Sequence, residues 1–309
     1  MLDYHQRLEK AGDKIGETLP RHWQVVGRLL RTAYGAHPDF KGRWRIYRLV
    51  SRHVRDKGYA TIIRFDIGER IALELEDWVS YRIFLTGLYD GERGHTQFFR
   101  KTVREGMTVL DIGAHIGYYT LQAAVRVGSK GQVHAFEPVS ETFTRLSHNI
   151  RLNGFQNVVA NRCIVHDHSG DMRIVVADRH NLGSSSLLPF GENCRKKTET
   201  VGSITIDSYV AQKQLQQIHL AKIDVEGTEL HVLKGMKKVL GQSQPQVLIE
   251  FDEELLRAHG SSSAEVSGFL KSFGYCPYRI TRTGTIQKYL GDITRDNLLL
   301  FRKKRGMHQ

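Results

Sequence analysis

Cysteine is scarce and scattered: Cys163, Cys194 and Cys276 are the only three in 309 residues. An odd, widely spaced set builds no disulfide framework and no metal-ligand spacing, and it suits a reducing compartment; the expectation is a cytoplasmic protein with no metal among its site residues. No apolar run approaches the roughly 18 residues that span a bilayer. The stretch Met1 to Arg7 lacks the apolar core of a secretory leader. Internal repeats and low-complexity linkers are absent too, which excludes a repeat array. Acid is what residues 21–57 lack: only Asp39 and Asp56 stand against ten Lys/Arg, in a chain whose net charge is +12. Trp23, Tyr34, Phe40, Trp44 and Tyr47 are interleaved there, and Arg302 to Arg305 form a second basic block. Such stretches attract phosphates, nucleic acid or an anionic membrane. With no nucleic-acid-binding motif beside them, the favoured reading is a solvated basic face with aromatics in a local core.

Two nucleotide signatures are also missing. The stretch Met107 to Gly117 ends a short apolar run in Asp111 and then turns through Gly113 and Gly117, so the order is Asp-x-Gly-x-x-x-Gly. This is not the Gly-x-Gly-x-x-Gly of dinucleotide folds, and no Lys-Ser or Lys-Thr follows, which excludes a phosphate-binding P-loop. What remains is a strand, a glycine turn that permits φ > 0 and close backbone approach, and a helix from Tyr118 with free N–H groups at its start. A second apolar run, Gln132 to Phe136, ends in Glu137, twenty residues after Gly117. A carboxylate there is placed to accept hydrogen bonds from both hydroxyls of a ribose. Ser140 reads as the N-cap of a helix to about Leu152, stopped by Asn153-Gly154.

In chain order, residues 1–57 read as mainly helical, broken at His37-Pro38-Asp39. Tyr59–Phe65 and Glu69–Leu75 form a hairpin, and helices follow at 77–86 and 95–104. From residue 107 strands and helices alternate: strands at 157–165, 171–177, 199–206, 218–224, 246–251, 274–280 and 297–302, with a short helix capped by Asp207, a helix capped by Thr228 and running to about Leu240, and a further helix at 262–273. Alternation of this kind predicts an α/β fold with a doubly wound, mostly parallel sheet. The expected domains are an N-terminal helical and hairpin annex, 1–104, and the α/β domain, 105–309. Ligands of such sheets sit outside the carboxyl ends of the strands, where Asp111, Glu137, Asp224 and Glu250 all fall. The polar segment Asp178–Lys197, with Asn181, Ser184, Ser185 and Ser186 between Gly183 and Gly191, is a long loop suited to covering a hydroxyl-rich acceptor as a lid.

Three stretches together resemble the FkbM family of S-adenosylmethionine (SAM) dependent methyltransferases: Val109 to Thr120, Ala135-Phe136-Glu137-Pro138, and Lys222-Ile223-Asp224-Val225-Glu226-Gly227-Thr228-Glu229-Leu230 with Val232-Leu233-Lys234-Gly235. Leu85-Thr86-Gly87-Leu88-Tyr89 is similar as well, and the resemblance covers about residues 60–255. It departs at His115, where the family usually has Asn. The resemblance implies a seven-stranded-type, Rossmann-like sheet, SAM as cofactor, and methyl transfer to a hydroxyl oxygen on a sugar, glycolipid or secondary metabolite. The alternatives are an RNA methyltransferase, motivated by the positive charge, and a non-catalytic SAM-binding module. The cofactor-binding set is Asp111, Gly113, Ala114, His115, Gly117, Tyr118, Glu137, Val165, His166 and Asp224.

In-line methyl transfer needs an aligned acceptor oxygen and help from a general base. Candidate catalytic acids are Asp224, Glu226 and Glu250. Glu226 also reads as a turn acid favoured by a helix N-terminus, and Asp224 with Glu250 as an oxygen-rich pair able to ligate a divalent ion. His166-Asp167-His168 is a candidate for the adenine pocket or for a base, and His180 a further one. The partners expected are a small-molecule or carbohydrate acceptor, and an anionic surface met by residues 21–57.

Overall fold

The computed structural model describes residues 19–36, 42–55, 57–89, 93–177, 197–291 and 298–303, together with 183, 185, 187 and 293. The chain divides into two compact units, 1–92 with 178–182, and 93–177 with 183–309.

In the first unit the helices Arg21–Ala36 and Arg43–Val54 precede an antiparallel hairpin of β1 (Ala60–Arg64) and β2 (Arg70–Glu74), then the helix Trp78–Thr86. That helix starts where the Asp77 carboxylate accepts the Ser80 N–H at 2.8 Å and stops at Gly87, in the left-handed region at φ 73. Gly27 is required by packing: a Cβ there would stand 2.3 Å from the Phe84 ring.

The second unit is built on β3 (Thr108–Ile112), β4 (Gln132–Phe136), β5 (Val158–Asn161), β6 (Ile164–Val165), β7 (Gly170–Val175), β8 (Thr198–Ile204), β9 (Leu220–Ile223), β10 (Gln246–Glu250), β11 (Tyr275–Ile280), β12 (Ile286–Lys288) and β13 (Leu298–Lys303). Its main sheet has eight strands in the order β12-β11-β13-β10-β9-β3-β4-β5. The run β10-β9-β3-β4-β5 is parallel throughout; β13 lies antiparallel between β10 and β11, and β12 antiparallel on the outer edge. The expected mostly parallel α/β sheet is therefore present, with one strand more than the sequence pattern indicates. Ile286–Lys288 is three residues long, too short for a period to register. β3 and β9 are buried at nearly every position, which is why they read as continuous apolar runs.

Several local expectations are corrected. Asn157–Val165 is not one strand: after Asn161 the chain leaves the main sheet, Arg162 pairs with Glu199 at 3.0 Å, and Ile164–Val165 joins β8 in a separate three-stranded sheet, β6-β8-β7. Ser140 is the first helical residue, not the cap, and its N–H donates to the Glu199 carboxylate. Asp207 does not cap its own helix, which Thr205 does through the Ser208 N–H. It reaches across to accept the N–H groups of Lys238 and Val239, opening the helix Lys237–Gln242 instead. The helix expected from Thr228 to Leu240 is two, Glu229–Lys234 and Lys237–Gln242, broken at Gly235 because its backbone abuts the carbonyl of His166. A further short helix, Glu253–Ala258, is capped by Asp252. The loop Asp178–Lys197, with Asn181, Ser184, Ser186 and Gly191, lies largely outside the described residues, as do His180, Cys194 and His37-Pro38-Asp39. Ser185 is described, and its hydroxyl accepts the Ala177 N–H at 3.0 Å.

Candidate active site

The glycine turn joins β3 to the helix Tyr118–Val127. Gly113 (φ 78) and Gly117 (φ 95) both take left-handed backbone. So does His115 (φ 51), a conformation that His and Asn tolerate better than most side chains, so one can stand where the other does. A Cβ on Gly113 would lie 1.7 Å from the Asp224 carbonyl oxygen. The missing side chain thus makes room for protein backbone and presses β3 against β9 at their carboxyl ends. The N–H groups of Gly113 and Ala114 both donate to the Phe136 carbonyl, and Asn149 holds the Ile116 carbonyl at 2.9 Å. Asn149 is a turn-holding residue that the sequence reading missed; it lies one helix away, and no local pattern announces it.

Glu137 closes the turn from the second strand. One carboxylate oxygen accepts the His115 N–H and the other the Val139 N–H, each at 3.0 Å. Burial pushes its carboxyl up to about 7, against the pull of those two N–H groups. Each oxygen keeps a second lone pair facing outward from these bonds. Asp111, fully buried, accepts the Thr120 hydroxyl at 2.5 Å through Oδ2, and burial raises its carboxyl as well.

Four acids and one lysine meet where β9 and β10 end. Lys222, 3% exposed, donates to Asp224 Oδ2 at 2.9 Å and to the Gly113 carbonyl at 3.3 Å, with Asp111 Oδ1 at 3.8 Å. Burial alone would depress its ammonium; Asp224 and Asp111 outweigh it and raise it. Asp224 is under the opposite pressures. Burial works to raise it, yet Lys222 and a hydrogen bond from Glu250 hold it below the usual range. Glu250 is raised well above its ordinary value, first by burial and then by the Asp224 charge. Asp224 thus carries the charge and Glu250 the proton. Glu226, at φ 55, is also raised, by burial and then by Asp224 and Glu229. Glu229 turns back on its own helix start, accepting the N–H groups of Val225 at 3.1 Å and Gly227 at 3.3 Å.

Of the candidate residues, Asp111, Gly113, Ala114, His115, Gly117, Glu137, Asp224 and Glu250 thus gather at the carboxyl ends of the neighbouring strands β4, β3, β9 and β10. The Tyr118 hydroxyl instead meets Thr96 at 3.1 Å, so that side chain is taken up by packing, and the Val165 side chain lies in the apolar core with Leu110 and Phe136. His166 stands on the smaller sheet with its Nδ1 turned to Asp167 at 2.8 Å. Lys222 belongs to the third family-like stretch, yet its role emerges only from these contacts. Its signal was present: a lysine inside an otherwise apolar strand two residues before an acid, which only a buried charge partner can justify.

Comparison with known proteins follows the same residues. The family profile described as Methyltransferase FkbM domain matches residues 111–277, more than half of the chain. Hexuronic acid methyltransferase AglP of Haloferax volcanii is 32% identical over 166 residues, 52% of this chain and 62% of that protein. A tRNA wybutosine-synthesizing protein 2 homolog of Danio rerio is 38% identical over 219 residues, 62% of this chain and 51% of that protein. The 31-O-demethyl-FK506 methyltransferase FkbM of Streptomyces tacrolimicus is 28% identical over 196 residues, 51% of this chain and 74% of that protein. The chain therefore spans 62% and 51% of the lengths of the first two relatives.

Proposed function

The chain belongs to the FkbM methyltransferase family, and from that premise we propose that it methylates a hydroxyl oxygen of a sugar, glycolipid or secondary metabolite, with SAM as donor. The observation that carries this reading is the row of acids Glu137, Asp111, Asp224 and Glu250 at the carboxyl ends of four neighbouring parallel strands, compensated by the single ammonium of Lys222. A bound cation would favour the ionised forms of Asp111 and Glu137, which burial pushes upward, so the row suits a ligand with fixed positive charge, and Glu137 offers acceptors where a ribose would stand. Bound there, SAM supplies a methyl group on a positively charged sulfur. The turn Gly113–Gly117 and Glu137 hold the nucleoside side; Asp111 and Asp224 face the charged end. Lys222 fixes the position and ionisation of Asp224. Of the three candidate acids Asp224, held ionised, is the one suited to take the acceptor proton, with Glu250 donating a hydrogen bond to it and Glu226 beside it pushed toward its protonated form.

The relatives named for a hexuronic acid and for 31-O-demethyl-FK506 support an oxygen acceptor on a sugar or metabolite. The tRNA-related relative and the net charge of +12 favour RNA as the second reading. In the first unit Val25, Leu29, Trp44 and Leu49 are 49%, 63%, 53% and 60% exposed on two helices that carry no acidic residue. Exposed apolar side chains among Arg28, Arg45, Arg48 and Arg52 suit an anionic lipid surface, and a glycolipid acceptor would be met there.

The test is a transfer assay with methyl-labelled SAM against three pools: uronic-acid glycans, a glycolipid extract and total tRNA. Label is expected in a carbohydrate or lipid pool, and Glu137→Ala is expected to weaken SAM binding by about 1–3 kcal/mol in a calorimetric titration. Label in tRNA alone replaces the first reading by the second.

A further inference from the structure

The segment His166-Asp167-His168 follows β6, and the reaction proposed above gives its side chains no proton to move. Its backbone is held on both sides. The His166 N–H donates to the Ile204 carbonyl at 3.0 Å, and the His166 carbonyl lies so near Gly235 that a Cβ there would be 2.1 Å away. The Ser203 hydroxyl meets the carbonyls of His168 and Gly170 at 2.9 and 3.0 Å.

On this frame three ligand atoms converge. Nδ1 of His166 is 2.8 Å from Asp167 Oδ1, Nδ1 of His168 is 2.6 Å from the same oxygen, and the two nitrogens are 3.2 Å apart. Ligands on one face of an octahedron with metal bonds of ~2.0–2.1 Å stand about 2.9 Å apart, the mean of this triangle. The other carboxylate oxygen, Oδ2, lies 2.8 Å from Nδ1 of His231, whose ring stacks on that of His166 with centroids 4.3 Å apart. A donor behind a ligating carboxylate is what fixes its rotation toward a metal. In the tautomer that carries its proton on Nε2 each histidine presents an Nδ1 lone pair, and a cation among the three atoms would use both nitrogens and the carboxylate oxygen together. We propose that His166, Asp167 and His168 form a two-histidine, one-carboxylate face for a divalent first-row transition metal. The His168 side chain is 60% exposed, so the remaining coordination positions open toward solvent.

The metal alone is the probe. The untagged full chain, stripped of metal, is titrated with Co²⁺ and followed by visible absorption. Weak d–d bands that saturate at one equivalent and disappear on adding Zn²⁺ are the expected result. Asp167→Asn, which keeps shape, and His168→Ala, at an exposed side chain, are each expected to weaken Co²⁺ binding by about 100-fold, and His231→Ala by about tenfold. Unchanged thermal unfolding of the metal-free variants assigns those losses to the site. Failure of the unsubstituted chain to take up one equivalent at about millimolar Co²⁺, or undiminished uptake by both Asp167→Asn and His168→Ala, overturns the proposal.

Discussion

Lys222 lies between Asp111 and Asp224 at 3% exposure, and a charge so placed costs several kcal/mol unless it is paired. The pairing decides how the neighbouring acids divide their work. Asp224 is held ionised by Lys222, and burial together with that neighbouring negative charge pushes Glu250 and Glu226 upward. Glu229 shows the same cost in a structural role. Burial raises its carboxyl from 4.5 to about 7. The folded chain then binds a proton between those values that the unfolded chain has released, so stability is fully present below 4.5 and is lost as pH rises toward 7. Glu229→Gln keeps the oxygen that accepts the Val225 and Gly227 N–H groups and removes the titration. Denaturant midpoints from pH 5 to 8 should therefore fall less steeply in the variant, by up to about 3 kcal/mol over the range. Parallel slopes in the two proteins would mean that Glu229 does not carry this linkage.

The paired short helices Glu229–Lys234 and Lys237–Gln242 show how an element is broken by its neighbour. The apolar spacing of Leu230, Val232, Leu233, Met236, Val239 and Leu240 runs through both, and all six side chains are buried. The break comes from the His166 backbone pressed against Gly235, and from Asp207, which supplies the second helix with a new start. Two glycines only six positions apart should then respond in opposite ways. Gly235→Ala drives a Cβ to 2.1 Å from a backbone carbonyl that cannot rotate away, and should cost about 1–3 kcal/mol. Gly241→Ala has nothing within 4 Å and sits in helix, so it should stabilise by up to about 1 kcal/mol. Urea unfolding of the two variants separates these effects; equal shifts would remove the steric account of the break.

Taken whole, the second unit gathers buried acids at its strand ends, whereas the first carries an acid-free pair of helices. The exposed Val25, Leu29, Trp44, Ile46 and Leu49 among arginines predict binding to vesicles that contain anionic lipid, weakening as salt rises. Leu29→Ser with Trp44→Ser should reduce the bound fraction several-fold in a sedimentation assay at fixed lipid. Equal binding of the double variant would leave charge alone as the attraction; no binding at low salt would remove the membrane reading altogether.

By itself the sequence determined the parallel sheet, the glycine turn and the acids that end its strands, because burial on both faces forces continuous apolar runs and a sharp turn forces glycine. Asp111, Glu137, Asp224 and Glu250 were legible for that reason: each is a charge closing an apolar run. Tertiary structure alone decided what those positions do. Gly113 admits the Asp224 carbonyl, Glu137 ties down two backbone N–H groups, and Lys222 turns one acid of a pair into an anion and leaves the proton on the other. The split of Asn157–Val165, the partner of Asp207, and the convergence of His231 on His166-Asp167-His168 were decided there too. Each joins residues 31 or more positions apart, and no periodicity records a contact made across that distance. Apolar periodicity specifies which face of an element is covered; which polar atoms then meet depends on how the covered faces pack.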